Sequence, residues 1–565
     1  MRSFRQAYLT YAELTEQLDA WVVAYPTLCR LTSLAKTPEG RDVWLLTIGA
    51  DPERIRPAAW VDGNMHAAEL AGSSCAMAIA EDVINVMNAS PNAPELPAAI
   101  TARVRDMLFY VVPRISPDGA EAVLTTGRSL RSVPRDTRKD RGRPRWVLED
   151  MDGDGQISAM RIRDDGGELV EAPQMPGLLV ERTLDDEGPF YKLYPEGRIE
   201  HYDGFSIPSP HYLGDNPVDL NRNFPWSWAP HHESIGAGTH AISEPESRGI
   251  VEFAAAHPNI FAWCDFHTFG GVLIRPMGHA PDDKMNQEDL AIYRQIEAWM
   301  TEHTGYPTVS GYHEFLYEPE KPLRGDIADF AYNQRGALAY TIELWDLFKR
   351  LGVEKPPKFA QFYERVTRHQ LVQLAWWDRD ENGGRAFPPW REVDHPQLGR
   401  VEVGGIDPRI GIWNPPEKEL PVMCSTQAEV FLRVAALAPR LRVNRVHRQV
   451  VGDGLVRVDV ELLNDGYLGT FGPPSAKTLD FNEPLYATAQ AIDCTLVEPG
   501  QAHQVLGHLD GWGHGLHTGA NLPAYPGTRG TTHAAWASYL VRGTGRLSVR
   551  AGAARVGFVD IEISL

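Results

Sequence analysis

Apolar residues first recur at helical spacing between Ala12 and Tyr25, where Leu14, Leu18, Trp21 and Val22 mark one face. Short apolar runs follow at Val43 to Ile48, Ala58 to Val61, Met107 to Val112, Ile260 to Phe266, Val272 to Ile274 and Leu338 to Ile342. Their length and β-branched content predict buried strands. Helical stretches at Leu70 to Val86, Glu244 to Ala256 and Asp289 to Thr304 lie between several of them. Strands alternating with helices predict an α/β fold with a largely parallel sheet. Residues 132–218, rich in Arg, Asp, Gly and Pro, break the rhythm and are expected to be an insertion over the sheet's edge or the rim of a site. From about residue 420 the pattern becomes apolar/polar alternation, at Leu441 to Val450, Leu455 to Leu463 and Leu547 to Leu565, which predicts a β-sandwich. The expected organisation is a unit over 1–415 carrying the insertion at 132–218, and an all-β sandwich domain over 420–565.

A chain of 565 residues exceeds one core, in keeping with two or three units. The formal net charge of -20 opposes binding to phosphates, so a nucleic-acid or anionic-membrane partner is not expected. No run reaches the ~18–20 apolar residues of a membrane span. Met1 to Leu14 has no apolar core followed by a small-residue cleavage site. Cys29, Cys75, Cys264, Cys424 and Cys494 are scattered and odd in number, which is neither a disulfide framework nor a cysteine metal site. A reducing, cytoplasmic compartment is the expectation.

The candidate chemistry starts at Asp62-Gly-Asn-Met-His66-Ala-Ala-Glu69, between a predicted strand and a predicted helix. A His/Glu pair three residues apart can converge on one metal ion, and zinc accepts both ligand types while keeping a position open for water. Alone, the pair has an ordinary alternative as surface residues. His267 and Glu343 each follow an apparent strand, and sites in parallel α/β sheets form beyond the strands' carboxyl ends. All three elements therefore point to one edge. Separately, Asp150, Asp152 and Asp154 match the start of a calcium loop. Arg161 stands at its twelfth position in place of the chelating Glu, and Asp-Gly runs also make plain turns.

With these residues in hand the sequence resembles the zinc carboxypeptidases of the carboxypeptidase A-like family (funnelins). The likeness runs in order through Lys36 to Trp44, His66-Ala-Ala-Glu69, Ser116-Pro-Asp-Gly119, Asp219-Leu-Asn-Arg-Asn223, Ser243-Glu-Pro-Glu246, His267 to Pro276, Asp329 to Gln334 and Thr341-Ile-Glu343. It covers roughly residues 8 to 350 apart from the insertion. The resemblance implies a mixed, mostly parallel twisted sheet flanked by helices. It also implies one Zn2+ on His66, Glu69 and His267, with Glu343 as general base. Arg131 falls where the family stabilises the oxyanion, with Arg128 and Arg135 as neighbours. Asn221 and Arg222 match the pair that grips the substrate's terminal carboxylate, for which a planar guanidinium is suited. Tyr317 is the candidate for the mobile tyrosine, with Tyr312 in competition.

The sequence also departs from the family. Ala68 stands where many members carry Arg, Ser116 replaces the turn asparagine, and Ala328 leaves room in the side-chain pocket. Asp326 beside it is open to three roles: selecting a basic side chain, capping a helix, or facing solvent. The expected partner is a peptide with a free C-terminal carboxylate. Two other readings stand beside the exopeptidase: a narrower amidohydrolase for modified or cell-wall peptides, and a non-catalytic binding protein.

Overall fold

The computed structural model describes residues 2–128, 130–135, 142–210, 218–316, 318, 320–356, 358–364, 366–516 and 528–565. Its main sheet has eight strands in the order Cys29–Lys36, Asp42–Ile48, Leu108–Val112, Ala58–Gly63, Ile260–Thr268, Leu338–Leu344, Val272–Arg275 and Thr308–Ser310. The four strands from Leu108–Val112 to Leu338–Leu344 are mutually parallel. Antiparallel pairing enters on either side, where Asp42–Ile48 meets Leu108–Val112 and Val272–Arg275 meets Leu338–Leu344. The sheet is mixed with a parallel centre. The central strands are apolar because they are buried on both faces.

Helix Ala71–Met87 is buried along most of its length and packs on the strands that carry the site. Small residues at its start allow the approach. A Cβ on Gly72 would lie 2.7 Å from the carbonyl oxygen of Phe266, so the helix could not sit this close with any other residue there. Helix Tyr11–Ala24 is set by a capping box, in which Thr10 accepts from the Glu13 amide and the Glu13 side chain accepts from the Thr10 amide.

The expected boundary near 415–420 is corrected. Helix Leu420–Ala435 belongs to the first unit, since Cys424, Ala428 and Phe431 are buried in the main core and Phe431 packs against Phe109. The C-terminal strands begin at Leu441. The expected sandwich is corrected as well: they form a single six-stranded antiparallel sheet. Alternation dictates one buried face but not how many sheets share it. Here Ala537, Tyr539 and Val541 from one half of strand Ala534–Ala553 and Leu547, Val549 and Ala551 from the other half belong to one buried cluster.

The insertion is also more regular than its composition suggests. Its strands Ala159–Arg163, Leu169–Ala172, Met175–Glu181 and Phe190–Pro195 join Arg391–His395 and Gly399–Gly404, more than 190 residues downstream of the last of them by sequence number, in a second six-stranded sheet. Val170, Leu178 and Val180 of that sheet pack on Val372 and Ala375 of helix Arg368–Glu381. Among the described residues no helix is long and apolar enough to cross a membrane.

Candidate active site

His66 and Glu69 sit on the turn between strand Ala58–Gly63 and helix Ala71–Met87. Asn64, at φ 56°, holds that turn: its side-chain amide donates to the carbonyls of His66 (2.8 Å) and Ala67 (3.1 Å). Asn414 braces it from outside, donating to the Ala68 carbonyl at 2.6 Å and accepting from the Ala71 amide at 2.9 Å. His267 and Glu343 are strand residues directly paired in register, rather than residues beyond the strand ends.

These elements bring His66, Glu69 and His267 together as a buried group able to hold a metal ion. Nδ1 of His66 is 2.8 Å from Glu69 Oε1, Nδ1 of His267 is 2.9 Å from Glu69 Oε2, and the two Nδ1 atoms are 2.9 Å apart. The far ring nitrogens face other carboxylates. His66 Nε2 lies 3.2 Å from Asp219 Oδ1, and His267 Nε2 lies 2.7 Å from Asp265 Oδ2. Each outer carboxylate fixes an Nε2–H tautomer and leaves the Nδ1 lone pair pointing inward. Two inward lone pairs and a carboxylate are a donor set that fits zinc.

The electrostatics follow from the same contacts. Burial would raise the Glu69 carboxyl, but His66 and His267 override it and hold it below the usual range. Burial opposes charge on His267, yet Asp265 and Glu69 push its pKa well up. Asp219 is held well below the ordinary value against its burial by Arg131, His66 and Arg222. Burial and then the Glu69 charge push the Glu343 carboxyl up to about 8, and its Oε2 is buried without a hydrogen-bond partner. A cation held by the three ligands would pull Glu343 the other way.

The triad opens on a cavity of about 450 Å³, which Arg131, Asn221, Arg222, Asp326, Ala328 and Glu343 also line. Arg131 Nε donates to Asp219 at 2.9 Å and its Nη1 is 3.8 Å from Glu69. The competing Arg135 is bound to Glu244 and Glu246, at 2.7 and 2.8 Å. Asn221 and Arg222 lie on the 3-10 turn Leu220–Arg222, capped by Asp219. Asn221 Oδ1 accepts from the Ile327 amide at 2.9 Å, and Arg222 Nη1 donates to the Asn221 carbonyl at 2.6 Å. Asp326 caps helix Ile327–Asn333 with Oδ1, accepting from the Asp329 amide at 2.8 Å, while its Oδ2 is buried with no partner. Burial, then the charge of Asp329, pushes this carboxyl up to about 7. The solvent-facing role is thereby corrected. Tyr317 lies outside the described residues.

At the predicted calcium loop, Asp150 and Asp152 gather with Glu196 rather than with Asp154. Asp150 accepts from the amides of Gly153 and Gly155, at 2.7 and 2.8 Å. Arg391 reaches both Asp152 and Asp154. Arg161 pairs with Glu171 and Glu402. The carboxylates are engaged in a turn and its ion pairs, which gives calcium no support.

Asp219 and Asp265 were not singled out from the sequence. Asp265 had a legible signal, since residues two apart on a strand share a face and Asp265-Phe-His267 places acid and imidazole together.

Residues 14–154 and 209–359 match the zinc carboxypeptidase family model, and residues 440–564 match a family described as a domain of unknown function. The chain is 20% identical to mouse (Mus musculus) carboxypeptidase A4 over 346 residues, 60% of this chain and 63% of that protein. It is 28% identical to a zinc carboxypeptidase of Saccharothrix mutabilis subsp. capreolus over 127 residues, 22% of this chain and 27% of that protein. It is 24% identical to carboxypeptidase B of Astacus astacus over 359 residues, 60% of this chain and 87% of that protein. The chain thus spans less than two thirds of the first two relatives. The solved carboxypeptidase A of Helicoverpa armigera aligns with a TM-score of 0.39 at 19% identity, covering 61% of this chain and 66% of that one. The family match takes in His66, Glu69, Asn221, Arg222, His267 and Glu343 and skips the heart of the insertion, and on that match this chain belongs to the zinc carboxypeptidase family.

Proposed function

We propose that this protein is a metallocarboxypeptidase that hydrolyses the last peptide bond of peptides with a free C-terminal carboxylate, preferring a basic last residue. The observation that carries the reading is the convergence of His66 Nδ1, His267 Nδ1 and the Glu69 carboxylate at one end of a cavity whose wall bears Glu343, Asn221 and Arg222.

His66, Glu69 and His267 would hold Zn2+, which when bound supplies Lewis acidity toward the scissile carbonyl and raises the acidity of water. Glu343 takes the water proton and delivers it to the leaving amine; its uncommitted buried Oε2 suits that task. Arg131 is placed by Asp219 beside Glu69, where its guanidinium offsets negative charge developing on the carbonyl oxygen. Arg222 and Asn221 grip the terminal carboxylate, Arg222 through its planar fork. Ala328 leaves space beside them, and the unpartnered Oδ2 of Asp326 receives the ammonium or guanidinium of a basic side chain.

The test is a set of peptides ending in Lys, Arg, Leu or Glu, each as free acid and as C-terminal amide, followed by mass spectrometry. Release of single basic residues from the free acids alone supports the reading. Cleavage of the amides, or cleavage only of an internal or modified bond, would replace it with the narrower amidohydrolase.

A further inference from the structure

The proposed reaction leaves part of the cavity unused. Asn221, Arg222, Asp326 and Ala328 serve the last residue of the substrate, and His66, Glu69, His267, Arg131 and Glu343 serve the scissile bond. The same cavity is lined by Tyr363, Val366, Gln370, Leu374, Ile412 and Trp413. All six lie beyond residue 359, where the match to the zinc carboxypeptidase family ends. None carries a charge. Tyr363 spends its hydroxyl on the Phe269 carbonyl, to which it donates. The Gln370 side-chain oxygen is spent on Thr367, accepting from its amide at 2.9 Å and its hydroxyl at 3.0 Å. What these residues offer a ligand is therefore apolar surface.

This wall is held from behind. Gln370 and Leu374, four residues apart, share one face of helix Arg368–Glu381 and look into the cavity. Val372 and Ala375, on another face, pack on Val170, Leu178 and Val180 of the insertion's sheet. Ile412 and Trp413 sit on a loop fixed at three points. Asn382 donates to the Ile410 carbonyl at 2.9 Å, Trp345 Nε1 donates to the Gly411 carbonyl at 3.1 Å, and Asn414 holds the catalytic turn at Ala68. Phe269, two residues after His267, joins the pieces. Its ring lies 5.5 Å from that of Tyr363 and 5.8 Å from those of Phe348 and Trp413.

A substrate held at its last residue by Asn221, Arg222 and Asp326, with its scissile carbonyl at the metal, must send the preceding residue into the rest of the cavity. We infer that the lobe lined by Phe269, Tyr363, Leu374, Ile412 and Trp413 receives the side chain of the penultimate residue and selects a large apolar one. Burial there favours Phe or Leu in proportion to the apolar area covered. A charged side chain would lose its water and find no partner. The substrates are thus peptides with a bulky apolar residue just before the residue released. The inference rests on the carboxypeptidase reading of the site. It also gives the insertion a role, as the support of a specificity wall.

The test uses the zinc-loaded full chain and two sets of blocked dipeptides, acetyl-X-Lys and acetyl-X-Leu, with Phe, Leu, Ser or Glu at X. Only ratios of kcat/KM within one set and one protein are compared, so a general loss of fold, metal or turnover cancels. The expected result is a preference for Phe and Leu over Ser of about 10- to 100-fold, with Glu the poorest. Trp413→Ala should shrink the Phe-to-Ser ratio by about tenfold. Ile412→Arg should raise Glu above Ser, a gain that damage to the fold cannot produce; it decides alone if Trp413→Ala does not fold. Equal rates for all four residues in the wild type, or a Phe preference that both variants retain, overturn the inference. Should the wild type release nothing from any peptide, the carboxypeptidase reading fails. Calorimetric binding of acetyl-Phe-Lys and acetyl-Ser-Lys to the same protein then decides the lobe: tighter binding of the Phe peptide, lost in Trp413→Ala, upholds it, and equal or absent binding overturns it.

Discussion

The Nδ1 atoms of His66 and His267 approach to 2.9 Å while their Nε2 atoms turn outward to Asp219 and Asp265. A cation that the two Nδ1 atoms and the Glu69 carboxylate hold together binds the folded chain and not the unfolded one, and so stabilises the fold. Chelation should lower the melting temperature and added Zn2+ should restore it, by about 2.7 kcal/mol of stability when zinc is at a hundredfold excess over Kd. Calorimetry of the chelated and reconstituted protein checks this; an unchanged melting temperature would count against a metal at this position.

Asp219 acts on two residues at once, through His66 Nε2 and Arg131 Nε. Asp219→Asn should weaken zinc binding by about 10- to 100-fold, since it takes an anionic acceptor from a ligating histidine. It should also lower turnover in zinc-saturated protein, because Arg131 loses its anchor. Chelator competition and steady-state kinetics at saturating zinc separate the two effects. A loss that zinc saturation fully repairs would leave Arg131 without a role.

Arg222 is assigned to the substrate carboxylate on the strength of a fork that two oxygens can share. Arg222→Lys keeps the charge and loses the fork. The expected effect is a rise in KM for free-acid peptides of about tenfold or more, in the range of a lost charge-assisted hydrogen bond of about 1.5–3 kcal/mol. Any residual activity on C-terminal amides should not change. Equal effects on both peptide forms would contradict the assignment.

The preference for basic residues should depend on pH. Burial and the neighbouring Asp329 push Asp326 up to about 7, so its charge is absent well below that pH and present above it. The ratio of kcat/KM for a Lys-ending peptide over a Leu-ending one should climb between about pH 6 and 8 and then level off. Because a ratio on one enzyme is used, the titration of Glu343 cancels to first order. Asp326→Asn should flatten the profile and reduce the ratio. A profile that keeps its shape in the variant would remove Asp326 from substrate selection.

Much of the site was legible because its residues close short apolar runs. Ile260 to Phe266 and Leu338 to Ile342 announce strands, and their pairing puts His267 opposite Glu343. The turn carrying His66 and Glu69 follows from the strand before it and the helix after it. Other features depend on contacts between distant segments, which local pattern does not encode. The insertion acquires its sheet only by pairing Ala159–Arg163 with Gly399–Gly404. Helix Leu420–Ala435 falls where β structure was expected, and its place in the first core depends on its packing with helix Ala71–Met87. Arg161 disfavoured calcium from the start, and the structure adds the reason: it is an ion-pair hub for Glu171 and Glu402.

The central claim is that Glu343 performs the proton transfer at a metal centre to which it contributes no ligand. The direct measurement is bound zinc and C-terminal residue release in wild type and Glu343→Gln, side by side. The account predicts about one zinc per chain in both proteins, with release from free-acid peptides in wild type and a fall of about 100-fold or more in the variant. Zinc-loaded Glu343→Gln that trims peptides at the wild-type rate would contradict it.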